Sequence, residues 1–325
     1  MARFKTVDQL LEETRSLLDE ENVENIRDAE DLLPSLNRAQ DYASNILSRH
    51  YESPMLTYRT VDLSGTQQEY DLPEDAFEER IEKVEIFHNG TFYEVKRIDY
   101  RDISMYETQV KLNIPYYYCI VGNKYRFVPA PTGTFEARVW YLRDPDPLVT
   151  QQGRITRVTP ASNYVYVDQV GTDLSTESDS LNSFVNLVDG QTGEVKTTLQ
   201  IKSIAGNKIT FKSALDGGRT DVYGRTIATS MPDGTGTVTI DIDDYICSAK
   251  GTCIPFFQKP FSNFLIQYTV AEITRKLGGP ADMQMRVLED LEQQVERSWV
   301  GREQSLRVKK RSRNWFRPSR RYFNG

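Results

Sequence analysis

The chain has 325 residues, a net charge of −7, and 38% apolar against 27% charged residues. That is enough for two modest domains, or one with a large insertion, around packed cores. No run approaches the roughly 18 apolar residues that a membrane helix needs, and Met1-Ala2-Arg3-Phe4-Lys5 leads into no apolar stretch. Neither a membrane span nor a signal peptide is therefore expected. The three cysteines, Cys119, Cys247 and Cys253, are odd in number and lie in or beside strand-like segments, which fits assembly in a reducing cytoplasm.

Thr6 and Gln9 make a capping box. Val7, Leu10, Leu11, Thr14, Leu17 and Leu18 then fall on one helical face. A second helix is expected from Pro34, whose missing amide hydrogen costs nothing in a first turn. Its buried stripe is Leu36, Ala39, Ala43, Ile46 and Leu47. Helices this short need a partner to cover them, so both must dock on a later element.

From Leu56 the pattern alternates. Strands are expected at Tyr58 to Leu63, Gln68 to Leu72, Ile81 to His88, Thr91 to Val95, Tyr116 to Val121 and Tyr125 to Val128. Asn89-Gly90 is the dipeptide of a tight hairpin. Phe135 to Leu142 is the clearest strand, with Phe135, Ala137, Val139 and Tyr141 on one side and Glu136, Arg138 and Trp140 on the other. Asp144-Pro145-Asp146-Pro147 ends it. A short helical turn is expected between Tyr100 and Met105.

Residues 151 to 243 differ in texture, with fewer charges and more Gly, Ser and Thr. Strands are expected at Ile155 to Val158, Tyr164 to Val167, Phe184 to Val188, Val195 to Ile201, Lys208 to Phe211, Tyr223 to Ile227 and Val238 to Ile242. Spacing of about ten residues suggests a small barrel or sandwich inserted between Leu148 and Asp244. The alternative is a continuation of the preceding sheet. Thr172 to Ser183 reads as a polar loop.

Ser262 is expected to cap a third helix carrying Phe264, Leu265, Tyr268, Ala271, Glu272 and Leu277, stopped by Gly278-Gly279. Pro280 opens a fourth, with Met283, Val287, Leu288, Leu291, Val295 and Trp299 on its apolar face. The fold class expected is α+β: a bundle from the N- and C-terminal helices, an antiparallel β region and an inserted all-β domain. Its parts are residues 1–55 (N-terminal helices), 56–150 (β region), 151–243 (inserted domain), 244–303 (C-terminal helices) and 304–325 (an extended arm).

The arm is the strongest functional signal. Arg307 to Gly325 holds eight basic side chains, four aromatics and no acid. They are Arg307, Lys309, Lys310, Arg311, Arg313, Trp315, Phe316, Arg317, Arg320, Arg321, Tyr322 and Phe323. Removing those eight cations from the net −7 leaves −15 on residues 1–306. A cationic, aromatic strap on an acidic body is built to grip something. Its partner is either nucleic acid, through phosphate pairing and stacking, or an acidic, apolar crevice on a protein. A solubilising tail is the plain alternative.

Catalytic patterns are scarce. The two histidines, His50 and His88, sit at a helix end and a hairpin turn, a poor basis for a triad. No cysteine spacing supplies a four-ligand zinc site. No phosphate-binding glycine loop opens a helix, since Gly234-Thr235-Gly236 leads into a strand. Asp241, Asp243 and Asp244 could face a hard cation, but the twelve-residue calcium loop pattern is absent. No catalytic residue, cofactor or metal is expected. Tyr164, Tyr166 and Phe184 either stack on a sugar or fill the core of the inserted domain.

The order of parts resembles the head-to-tail adaptor proteins of tailed bacteriophages. The likeness rests on Glu69-Tyr70-Asp71-Leu72-Pro73-Glu74-Asp75, Ile81-Glu82-Lys83-Val84, Pro115-Tyr116-Tyr117-Tyr118, Tyr125-Arg126-Phe127-Val128-Pro129-Ala130-Pro131, Val139-Trp140-Tyr141 and Pro145-Asp146-Pro147-Leu148. Asp244-Tyr245-Ile246, Gly251-Thr252-Cys253-Ile254-Pro255, Phe261 and Leu265 to Ile273 extend it to about two thirds of the chain, leaving out residues 151 to 243. The resemblance implies a non-enzymatic virion protein of the neck, assembled in the host cytoplasm. It implies a ring, typically of twelve copies, docked on the portal protein, joined to tail, nozzle or further neck proteins, and passed by genomic DNA without sequence recognition. It also implies that the C-terminal arm enters crevices between portal subunits. The rival functions are a nucleic-acid-binding protein using the arm, and a virion-associated carbohydrate-binding or cell-wall hydrolase module.

Overall fold

The computed structural model describes residues 5–18, 26–48, 55–65, 67–73, 75–109, 114–159, 162–177, 181–212, 239–255 and 259–278, with 286, 288–291 and 293 near the end. The chain divides into two compact units, residues 47–145 and the flanking residues 1–46 with 146–325.

In the flanking unit, α1 (Val7–Leu18) starts as its sequence dictates. The Thr6 amide donates to Gln9 Oε1 at 3.1 Å and the Gln9 amide to Thr6 Oγ1 at 3.4 Å. The Val7 amide finds a distant acceptor, the Cys253 carbonyl, at 2.9 Å. Val7, Leu10, Leu11 and Thr14 are buried, but Leu17 is 53% exposed, so the apolar stripe stops one turn earlier than expected. One π-helical turn, Asp28–Leu32, leads into α2 (Leu33–Ser48), with Pro34 in its first turn. Leu36, Ala39, Ala43, Ile46 and Leu47 are all buried as the spacing requires.

Both helices meet the helix Lys259–Lys276, α4 in chain order. It packs against α1. Against α2, Tyr42 stacks on Phe264 at 6.0 Å, and Ser35 and Arg38 both donate to Glu272. Because Phe261, Leu265, Ile266, Val270 and Ile273 are buried too, α4 is covered on more than one side. It begins three residues before Ser262, which is buried inside it rather than capping it. It stops at Gly278, whose φ of +75° a side chain would oppose. The expected fourth helix is described only at a few positions, where the chain is helical and Leu288 is buried. Among the described residues, strands outnumber helices, so a sheet and a barrel rather than a helical body dominate.

The barrel is closed, with β8 (Gln151–Thr159), β9 (Tyr164–Val167), β10 (Phe184–Val188), β11 (Val195–Ala205), β12 (Lys208–Phe211) and β13 (Tyr245–Ser248). Strand order is β10-β11-β12-β9-β8-β13, and β13 pairs back onto β10. Ile155, Val165, Val167, Leu187, Leu199 and Ile246 point inward and are buried. Alternation alone places them there, since closure turns one side of every strand into a core. Residues 239 to 242 are not a strand, contrary to expectation. Asp241, Asp243 and Asp244 there are engaged in ion pairs, and the closing strand follows them. The strand expected at Tyr223 to Ile227 lies outside the described residues.

Polar clamps join the barrel to the helices of its own unit. Asn37 takes the backbone of Leu148 at both ends, donating to its carbonyl at 3.1 Å and accepting from its amide at 2.7 Å. Gln40 donates to the Asp146 carbonyl at 2.9 Å. Buried Asn186 donates to the carbonyls of Ala249 and Gly251 and accepts from Thr198 at 2.7 Å.

Residues 47–145 form a seven-stranded sheet in the order β1-β7-β3-β4-β5-β6-β2. The strands are β1 (Leu56–Leu63), β2 (Glu69–Asp71), β3 (Ala76–His88), β4 (Thr91–Arg97), β5 (Tyr117–Val121), β6 (Lys124–Val128) and β7 (Phe135–Arg143). Asn89 and Gly90, at φ +50° and +82°, make the tight β3–β4 turn that their dipeptide predicts. β4 and β5 run parallel, so the chain crosses over between them. That crossover carries a 3-10 turn at Tyr100–Asp102 and α3 (Ile103–Gln109). Val84, Val139, Tyr118, Tyr125 and Phe127 lie on the core side.

Candidate functional site

Surfaces with organised charge and aromatic rings are the candidates, and three stand out. The first is at one end of the barrel, around Lys196 of β11. Its Nζ lies 2.8 Å from Asp244, 2.9 Å from Asp241 and 3.3 Å from Asp189. Arg154 and Asp243 pair at 2.7 Å beside it, on the rim of an open depression of about 750 Å³. Burial alone would lower the Lys196 pKa, but its bonds to Asp244 and Asp241 outweigh that and raise it. Burial pushes Asp244 up, and the lysine only partly offsets the lost water. Asp189 goes the other way: burial would raise it, yet the amides of Gln191 and Thr192 and then Lys196 hold it below its ordinary value. All of these groups favour a charged Lys196. The aspartates considered for a cation thus spend their oxygens on the chain's own lysine and arginine. Among the described residues, no cluster of His, Cys, Asp and Glu is arranged to hold a metal.

The second is the outer wall of the barrel, where β9 lies between β8 and β12. Tyr166 sits opposite Arg157 on one side and Lys208 on the other, and Tyr164 opposite Thr159 and Thr210. The two rings stand 5.6 Å apart at 85°. Lys208 Nζ lies 3.8 Å above the Tyr164 ring and the Arg157 guanidinium 5.8 Å from that of Tyr166. These tyrosines are half-buried wall residues; Val165 and Val167 of the same strand fill the core instead.

The third is the sheet face opposite the core of the seven-stranded sheet. Tyr58 and Trp140 rings meet at 4.8 Å, and Phe87 and Phe92 at 4.9 Å. Arg138 lies 3.7 Å over Phe92 and 5.1 Å over Tyr58, and Lys83 4.9 Å over Trp140. Glu85 accepts from Trp140 Nε1 at 2.7 Å and from Lys83 at 2.6 Å. Burial would raise Glu85, but those two bonds and the neighbouring cations leave it lowered. Tyr58 and Phe87 remain 46% and 40% exposed.

The other residues singled out by sequence stand apart from these surfaces. His88 ends β3, its ring 6.1 Å from that of Phe135, while His50 lies outside the described residues. All three cysteines are free and buried. Burial, and then the adjacent Cys247, pushes the Cys253 thiol well above its ordinary value, which suppresses the nucleophilic thiolate. The entire arm, Arg307 to Gly325, lies outside the described residues. Sequence reading passes over Lys196, Arg157 and Lys208, whose partners lie on other strands. The Tyr-Val-Tyr-Val alternation at 164–167 is the one local signal that both tyrosines share a side.

The described residues thus combine helices, an open sheet and a closed barrel, with organised charge and aromatic rings on the barrel and on the sheet. Residues 5–170 match the family model described as SU10 adaptor protein. The chain belongs to this family, which gives it the role of a phage structural adaptor. The match differs in extent from the resemblance read in the sequence: it runs on through β8 and β9 to residue 170 and does not include 244–273. No curated protein matches the chain.

Proposed function

We propose that this adaptor assembles as a homo-oligomeric ring, of twelve copies by family likeness, docked below the portal protein in the virion neck. The ring connects the DNA-filled capsid to tail, nozzle or further neck proteins. In this reading the N- and C-terminal helices (residues 1–55 and 244–303) complete a bundle forming the ring wall. The β region (56–150) and the inserted domain (151–243) face neighbouring components, and genomic DNA passes through without sequence recognition. The arm from 304 to 325 ties each copy to the portal through Arg307, Lys309, Lys310, Arg311, Arg313, Arg317, Arg320 and Arg321 with Trp315, Phe316, Tyr322 and Phe323.

Family membership over residues 5–170 carries this reading. It is supported by the arm's eight cations on a body of −15, a charge separation suited to strapping one assembly to another. Many weak arm contacts held in one ring act together through effective concentration, and an arm that orders only on docking restrains premature assembly.

Deleting residues 307–325 tests it. The truncated chain should fold and self-associate normally, fail to co-sediment with portal rings, and leave filled capsids unjoined to tails. Normal yields of joined particles would sink the portal-strap role. If the arm serves nucleic acid instead, the truncation removes DNA affinity that has a steep salt slope, and leaves portal binding intact.

A further inference from the structure

We infer that the outer wall of β8, β9 and β12 is a contact between copies of this chain, receiving the acidic N-terminal helical stretch of its neighbour. This rests on the ring reading above and assigns it one of its interfaces.

The wall is a local exception on an acidic protein. Arg157 and Lys208 flank Tyr166 in register, and Thr159 and Thr210 flank Tyr164. Lys202 projects nearby, at the bulge where β11 meets β12. Among the described residues, no hydrogen bond or ion pair joins Arg157, Lys202 or Lys208 to a carboxylate. Elsewhere on the barrel the pattern is the reverse: Lys196 holds three aspartates and Arg154 holds one. Two of the wall's cations instead lie against its tyrosine rings. That fixes their position while leaving their charge unmatched.

Charge complementarity names the occupant. The described residues of the first helical stretch, 5–18 and 26–32, carry Asp8, Glu12, Glu13, Asp28, Glu30 and Asp31 against Lys5, Arg15 and Arg27. Lys5, Arg15 and Arg27 pair with Glu13, Asp28 and Glu30, while Glu12 is exposed with no partner among the described residues and Glu30 is exposed beside its arginine. Six acids against three bases give this stretch a net −3, the sign that the wall attracts, and nucleic acid is the rival polyanion that the test below separates from it. Wall and helix are different patches, so the contact is heterologous. Such a contact builds a ring when its rotation closes, and never an isologous two-fold dimer.

The test uses full-length protein and sedimentation velocity at about 50 mM and about 0.5 M salt. Paired reversal, Arg157→Glu with Lys208→Glu, should weaken self-association at least roughly ten-fold at low salt, and Glu12→Lys with Glu30→Lys should do the same. Combining all four should restore it. Arg157→Ala with Lys208→Ala, which adds no repulsion, should give a smaller loss, and matching thermal melts guard against misfolding. Unchanged assembly in the wall variant overturns the inference but leaves the ring standing, and so does failure of the combined variant to recover. A wall variant that assembles normally but loses binding to a labelled single-stranded oligonucleotide overturns it in favour of nucleic acid. A wild-type protein that stays monomeric at every concentration and salt overturns both the inference and the ring.

Discussion

The end of the barrel and its wall treat positive charge in opposite ways. At the end, Lys196 is drawn into three carboxylates, one of them on buried Asp244. On the wall, Lys208 and Arg157 meet, among the described residues, aromatic faces and no carboxylate. The difference follows from solvent: a partly buried ammonium must be neutralised by close partners, whereas a cation on an open wall keeps its water. Structural duty therefore concentrates at the end of the barrel. Among the described residues, the wall's cations carry no such duty.

The largest expected effect breaks the end cluster. Lys196→Met leaves Asp189, Asp241 and Asp244 facing one another with no cation, and should cost about 3 kcal/mol in urea denaturation. A loss below roughly 1 kcal/mol would mean that solvent, rather than the ion pairs, balances this cluster. Asp8 sharpens the contrast from another side, as a carboxylate in the barrel's unit whose pKa no cation lowers. Burial raises it to about 6, against the lowering hydrogen bond from the Gln151 backbone, and Asp28 adds a smaller push upward. Because its folded pKa lies above the ordinary 3.8, ionisation costs stability above pH 6, and the cost fades as pH falls through that value toward 4. Asp8→Asn should then be more stable than wild type by about 1 kcal/mol at pH 7.5, allowing for solvent around the half-exposed group. Its advantage should vanish near pH 4, and a pH-independent difference would contradict the assignment. The smallest effect belongs to the wall: Lys208→Ala should shift stability by less than about 1 kcal/mol, the scale of an exposed cation–ring contact.

Much of the architecture was legible because it is local. Thr6 and Gln9 announced a helix start that the backbone uses, and Asn89-Gly90 a turn with two positive φ values. Alternation from Phe135 to Leu142 gave the inward set of β7. Illegible features depend on distant partners. β13 has only four residues and acquires its role by pairing with β8 and β10, far away in sequence. Asp241 read as part of a strand from Val238 to Ile242, because nothing nearby says that Lys196 will claim it together with Asp244. Ser262 looked like a cap because serine is a preferred N-cap, whereas Pro260, suited to a first turn, marked the true start at Lys259. The family likeness was legible as an order of short phrases, each weak alone.

One link decides when this protein can be finished. The first amide of α1 bonds to the carbonyl of Cys253, and α1 packs on α4, which spans Lys259–Lys276. A chain emerging from the ribosome must therefore hold its opening helix uncovered until nearly everything else has been made, on the order of tens of seconds at ordinary translation speeds. Contacts this remote in sequence also slow folding. The chain stays unfinished at its first helix until synthesis is almost complete.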